Sequence, residues 1–291
     1  MLTNDWYGVY SRAERKTMMP KLDAYPVHPA KMDMGLAQAI FEKGLEMRLW
    51  DRGNNIGNPM AGDGTEALIF RRGGCPIYAV EPVPLYAARF GIYQQRLQDT
   101  LPYKLHTWQM HLGDAREAWP KAWPLMDAVV FSPTYEAAVK AGDEGPYAKG
   151  LNHLREAAGV PVAEGLRKRI TGYDEAPGQI GALKGQDWQD AMKLIYQRSY
   201  EHTAEAGFMV TITKNVRRNS TLVDIAAIVT ADAGGVGWQP YAHFRALGAA
   251  RSLFARTNNQ HYIDAGHPEL VVNHEDILVF QKLSQFQGVL A

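Results

Sequence analysis

The chain has 291 residues, enough for one large α/β domain with a substantial core, and its 46% hydrophobic and 21% charged residues exclude extensive disorder and any need for disulfide or metal staples. Basic and acidic residues number 31 each, which excludes nucleic-acid binding through the field of the whole molecule and leaves only a local basic surface for that purpose. One cysteine, Cys75, excludes an internal disulfide, and no run approaches the roughly 18 apolar residues of a membrane span, so a cytoplasmic protein without a membrane partner is expected.

Residues 1–27 carry aromatics, charges and two prolines without a sustained period and read as an N-terminal arm. They lack the apolar stretch of a signal peptide. From Asp33 onward, Met34, Leu36, Ala37, Ile40, Leu45 and Leu49 predict a helix with one apolar face, and Asp33 is its N-cap. Residues 54–65 then predict a short strand and a glycine turn, followed by a helix that begins with Glu66-Ala67-Leu68-Ile69-Phe70. Glycine in such a turn lets the backbone approach a ligand, although the G-x-G-x-x-G spacing of a nicotinamide loop is absent.

Pro76–Val80 predicts a second strand that runs into Glu81, where a carboxylate can accept both hydroxyls of a ribose. Val83 to Leu97 reads as a helix with Pro84 in its first turn. Trp108–Leu112 predicts a third strand ending at Gly113-Asp114-Ala115, with Asp114 placed to accept from an adenine amino group. Such a carboxylate taken alone is more often a helix cap or a solvated loop charge than a ligand residue. A fourth strand, Asp127–Phe131, ends in Ser132-Pro133-Thr134-Tyr135, and polar strand ends in series are where open α/β sheets bind ligands.

Residues 136–186 have a weak period and contain Lys149, Arg155, Arg167, Lys168 and Arg169 with Tyr147 and Tyr173, the composition of a lid or target-recognition insertion. Asp187 to Ala206 predicts a helix ended by Gly207, and Phe208–Thr213 a fifth strand that delivers Lys214–Arg218 to the same edge. A helix over 221–233 and strands over 237–244 and 274–281 complete the set, with a basic linker holding Arg245, Arg251 and Arg256 between the last two strands. The chain therefore divides into the arm 1–27, a first half 28–135, the insertion 136–186 and a second half 187–291.

In this order the motifs resemble those of the amino-methylating DNA methyltransferases, and most nearly the phage and prophage branch that carries Ser-Pro-Pro-Tyr. His28-Pro29-Ala30-Lys31-Met32 resembles the motif placed before the first strand, and Asn58-Pro59-Met60-Ala61-Gly62-Asp63-Gly64-Thr65 is similar to the family's Asp-Pro-Phe-Ala-Gly-x-Gly-Thr cofactor loop. Gly172-Tyr173, Pro177-Gly178-Gln179-Ile180-Gly181 and the segment 273–280 resemble later stretches of the phage enzymes. The resemblance spans roughly residues 25 to 283. It implies a Rossmann-like class I S-adenosylmethionine-dependent methyltransferase fold, with a seven-stranded, mostly parallel sheet and helices on both faces.

The resemblance further implies S-adenosylmethionine as cofactor, held by Lys31, Asn58, Pro59, Met60, Ala61, Gly62, Gly64, Thr65, Glu81, Pro82, Asp114, Ala115 and Ser132, with no metal. Catalysis falls to Ser132, Pro133, Thr134 and Tyr135, on an exocyclic amino group of a flipped base in double-stranded DNA, N4 of cytosine being favoured over N6 of adenine. The setting implied is the cytoplasm of a bacterial or phage-infected cell, with the protein a monomer or homodimer. Two positions depart from the family pattern: Asn58 replaces an acidic residue and Thr134 replaces a proline. These departures, with the neutral charge, keep two alternatives open: methylation of RNA, protein or a small molecule, and a methyltransferase-fold binding protein with impaired catalysis.

Overall fold

The computed structural model describes residues 33–62, 64–117, 119–133, 180–218, 221–247, 263–266 and 274–283. The first half alternates helix and strand: α1 (Met34–Glu46), β1 (Ile56–Asn58), α2 (Thr65–Arg72), β2 (Ile77–Glu81), α3 (Pro84–Thr100), β3 (Trp108–Leu112) and β4 (Met126–Phe131). Asp33 caps α1 as expected, its Oδ1 accepting the Gly35 N–H at 2.7 Å. Pro84 stands in the first turn of α3, where a missing N–H costs nothing. The second half contributes α4 (Gly185–Glu201), β5 (Thr203–Thr213), β6 (Val216–Arg218), β7 (Thr221–Val223), α5 (Ile225–Gly235), β8 (Gln239–Leu247) and β9 (His274–Gln281).

Seven strands form one sheet in the order β3-β2-β1-β4-β5-β9-β8, and β6 and β7 form a separate two-stranded ribbon. The pairs from β3 through β5 are parallel, whereas β9 runs antiparallel to both β5 and β8. A parallel sheet whose order reverses at β1 and β4, closed by one antiparallel strand inserted next to the edge, is the Rossmann-like class I methyltransferase arrangement expected above. Alternation along the strands sends side chains into two cores. Ala128 and Val130 meet Ile40, Phe41, Phe70 and Phe90 from α1, α2 and α3, while Val129 and Phe131 meet Trp188, Tyr196 and Val229 from α4 and α5. Each such large side chain taken from water contributes about 1.5–3 kcal/mol. Arg71, also buried, ties the first layer together by donating to the carbonyls of His106 and Gln94 at 2.8 and 2.7 Å.

Four expectations for the second half are corrected. Helix α4 stops at Glu201 and not at Ala206, because Thr203 already pairs with Met126 in the sheet and the Met126 N–H donates to the His202 carbonyl at 2.8 Å. Gly207 belongs to a bulge within β5 and does not end a helix: a Cβ there would lie 2.6 Å from Thr203 Cγ2 and 2.8 Å from the Asp127 carbonyl oxygen. Residues 221–223 form β7, and α5 starts at Ile225 behind Asp224, whose Oδ1 accepts the Ala227 N–H at 3.0 Å. Arg245 lies within β8 and not in a linker, whereas Arg251, Arg256 and most of the insertion lie outside the described residues.

Cys75 is closed off between α2 and β2, and burial pushes its thiol up to about 11. Among the described residues no helix is long and apolar enough to cross a membrane.

Candidate active site

Parallel pairing brings the carboxyl ends of five strands to one edge of the sheet. Across that edge stand Asp114 after β3, Glu81 on β2, Asn58 on β1, Ser132 after β4 and Lys214 after β5. The topology thus unites the four strand ends singled out in the sequence, at the reversal of strand order where open sheets bind ligands.

The β1–α2 turn is itself buried. Asn58, 2% exposed, uses Oδ1 to accept the Met60 N–H at 3.1 Å, and its Nδ2 is buried with no hydrogen-bond partner. The turn is pinned by Ala61 N–H to the Val80 carbonyl at 3.1 Å and Gly64 N–H to the Ala61 carbonyl at 2.7 Å. Pro59 and Ala61 are buried, Met60 packs partly against the α4–α5 core, and Thr65 opens α2 as a buried residue. Gly62 and Gly64 have φ of +50° and +73°. At Gly64 a Cβ would lie 2.3 Å from the Phe90 ring, so this glycine is required by the protein's own packing as well as by its left-handed backbone.

Glu81 is 2% exposed and accepts from the main chain on either side, Oε2 from Gly62 N–H at 2.9 Å and Oε1 from Val83 N–H at 3.0 Å. The side chain expected to take ribose hydroxyls therefore first braces the loops on either side of it. Pro82 lies beside it, half-buried. Asp114 is engaged in a fork with Arg116: Nε lies 3.0 and 2.9 Å from its two oxygens and Nη2 2.5 Å from Oδ2, while the Arg116 N–H reaches Oδ1 at 2.9 Å. Hydrogen bonding to Asp114 holds the Arg116 guanidinium above its usual value. Arg198 at the end of α4 donates to the Arg116 carbonyl at 3.0 Å, which joins this tip to the second half. Ala115 turns into the α4–α5 core.

At the β4 tip the Ser132 hydroxyl donates to the Ile212 carbonyl of β5 at 3.1 Å, and Pro133 is buried. Lys31, Thr134 and Tyr135 lie outside the described residues.

The sequence reading missed Arg116 and a polar cluster on β8 and β9. Asp276, 1% exposed, has His243 Nε2 at 2.7 Å, His274 Nε2 at 3.4 Å and Arg245 Nε at 3.5 Å. Burial holds His274 below its usual value. The available signal was the alternation of His274 and Asp276 on one face of a strand otherwise read as apolar. Among the described residues no group of His, Cys, Asp and Glu could hold a metal ion.

The chain matches no protein-family model and no curated protein. Solved structures overlap it in part. A magnesium protoporphyrin IX methyltransferase from Synechocystis PCC 6803 with bound S-adenosylmethionine is 9% identical, covering 86% of this chain and 79% of its own, with a TM-score of 0.46. An S-adenosylmethionine-dependent methyltransferase from Methanosarcina mazei is 7% identical over 83% of this chain and 98% of its own, with a TM-score of 0.49. SpnF, a cyclase, is 11% identical over 88% and 84%, also at 0.49. Overlaps of this size carry no residue role across.

Proposed function

We propose that the chain is an S-adenosylmethionine-dependent methyltransferase whose acceptor is an exocyclic amino group. The observation that carries this reading is the Ser132 hydroxyl, whose proton is committed to the Ile212 carbonyl. A hydroxyl has one proton and two lone pairs, so Ser132 meets a substrate as an acceptor. An amino group is the substrate that needs acceptors.

An exocyclic amine is a poor nucleophile because its lone pair is delocalised into the ring. Ser132 Oγ and the Pro133 carbonyl accept its two N–H bonds, turn the lone pair towards the β1 side of the edge and stabilise the charge that develops on nitrogen. Tyr135 stacks on the base, worth on the order of 1–3 kcal/mol and offsetting part of the unstacking cost. The cofactor, when bound, supplies an electrophilic methyl group. The residues present fit it: a glycine turn, a fixed carboxylate at Glu81 and a buried Asn58 amide with an unused donor. Alignment of amine and methyl along the edge supplies the larger part of the rate.

The acceptor we favour is a base of DNA, on the ordered motifs that end in Ser132-Pro133-Thr134-Tyr135. A second reading, in which the amine belongs to a protein or small molecule, is favoured by the equal numbers of acidic and basic residues. Purified protein with labelled S-adenosylmethionine should label DNA in preference to RNA, protein or small amines, and the mass of the modified nucleoside should distinguish cytosine N4 from adenine N6. Ser132→Ala should lower transfer about 10²–10³-fold while cofactor binding is kept. Full activity of that variant sinks the acceptor role of Ser132, and labelling confined to protein or small amines replaces DNA by the second reading.

A further inference from the structure

We propose that Asn58 recognises the carboxylate of the cofactor's amino-acid end, donating a hydrogen bond where the resembled family places an acidic acceptor. The inference rests on the methyltransferase reading given above.

The orientation of the Asn58 amide is fixed by the chain. Its Oδ1 accepts the Met60 N–H at 3.1 Å, so the other branch is the amino group. That Nδ2 is buried and without a partner, inside a residue only 2% exposed. An unpaired buried donor is destabilising, and a ligand bringing an acceptor removes that cost.

The order of the strand ends says which part of the ligand arrives there. Asp114 and Glu81 lie on β3 and β2 to one side, and Ser132 lies after β4 on the other. A cofactor with its nucleoside towards β3 and β2 and its methyl towards Ser132 presents its amino-acid end at β1. That end carries an ammonium, which only donates, and a carboxylate, which only accepts. Asn58 offers a donor and has already used Oδ1 on Met60, so the carboxylate is the complementary group. An aspartate at this position would present only acceptors and favour the ammonium.

Decarboxylated S-adenosylmethionine keeps the sulfonium and the amine and lacks only the carboxylate, which makes it the probe. Calorimetry on the wild-type protein and on Asn58→Asp, each with intact and decarboxylated cofactor, gives four affinities. The wild type should bind the intact form about tenfold or more tightly than the decarboxylated form. Asn58→Asp should lose about tenfold or more on the intact form and bind the decarboxylated one at least as tightly as the wild type does. Equal losses on both ligands, or tighter binding of the intact form by the aspartate variant, overturn the proposal. Should Asn58→Asp not fold, equal affinities of the wild type for the two ligands still overturn it. No binding of either ligand by the wild type removes the cofactor reading, and this inference with it.

Discussion

Two nearly buried carboxylates stand at strand ends of the same sheet and are stabilised in different ways. Glu81, in the first half, is held by the main-chain N–H groups of Gly62 and Val83. Asp276, in the second half, is held by His243, His274 and Arg245. Backbone amides neither titrate nor swing away, whereas histidine and arginine side chains can turn aside, and His274 can also change its charge. The parallel half is thus built for a fixed geometry at its edge, and the β9–β8 side for adjustable charge. The difference follows from topology: parallel strands end in loops that fold back over the tip, while adjacent antiparallel strands set side chain against side chain.

Truncating each carboxylate should separate the two designs most widely. Glu81→Ala leaves two buried N–H groups without acceptors and should cost roughly 2–6 kcal/mol. Asp276→Ala leaves partners whose side chains are 31%, 18% and 38% exposed and can turn to water, so about 1–3 kcal/mol is expected. Urea unfolding of both variants measures this, and equal losses would break the comparison. Next in size is Gly64→Ala, where the left-handed backbone and the nearby Phe90 ring should together cost roughly 2–4 kcal/mol. Adding Phe90→Leu should recover part of that loss, and no recovery would show that the backbone alone sets it.

The smallest effect is the pH response of the β9 side. Burial lowers the folded-state value of His274, so the unfolded chain takes up its proton first. Its contribution to stability is complete above about pH 6.5 and is lost as pH falls below that value towards the lower, folded one. Glu275, pushed up by burial, acts in the opposite sense, so the informative quantity is the difference between wild type and a variant. Between pH 7.5 and pH 5.5, His274→Gln should lose less stability than the wild type by about 1 kcal/mol or less in urea titrations. An identical loss would mean that His274 does not contribute.

Much of the first half could be read from the sequence because each unit there is local. Asp33 caps its own helix, Pro84 sits in its own first turn, β2 and β4 are short apolar runs and β3 an alternating one, all with limits nearly those observed. The second half depends on distant partners. Thr203 is strand because Met126 pairs with it, and Gly207 is a bulge because Asp127 and Thr203 crowd it, none of which shows in the local pattern. For the site, residue types marked the strand ends, and only the sheet order showed that Asp114, Glu81, Asn58 and Ser132 share one edge. The occupation of Glu81 by Gly62 and Val83, and of Asp114 by Arg116, needed geometry that no spacing supplies.

The place of β9 also governs how the protein can be made. In the main sheet β8 pairs with β9 and not with β5, although β8 comes first along the chain. During synthesis β8 leaves the ribosome before the strand that will seat it exists, and the open side of β5 waits with it until residues 274–281 emerge. Both edges are exposed for that interval to any other unpaired strand. The parallel strands β1 to β5 can assemble earlier, so the nascent chain passes through a stage in which the edge bearing Ser132 is complete and the opposite flank is still unfinished.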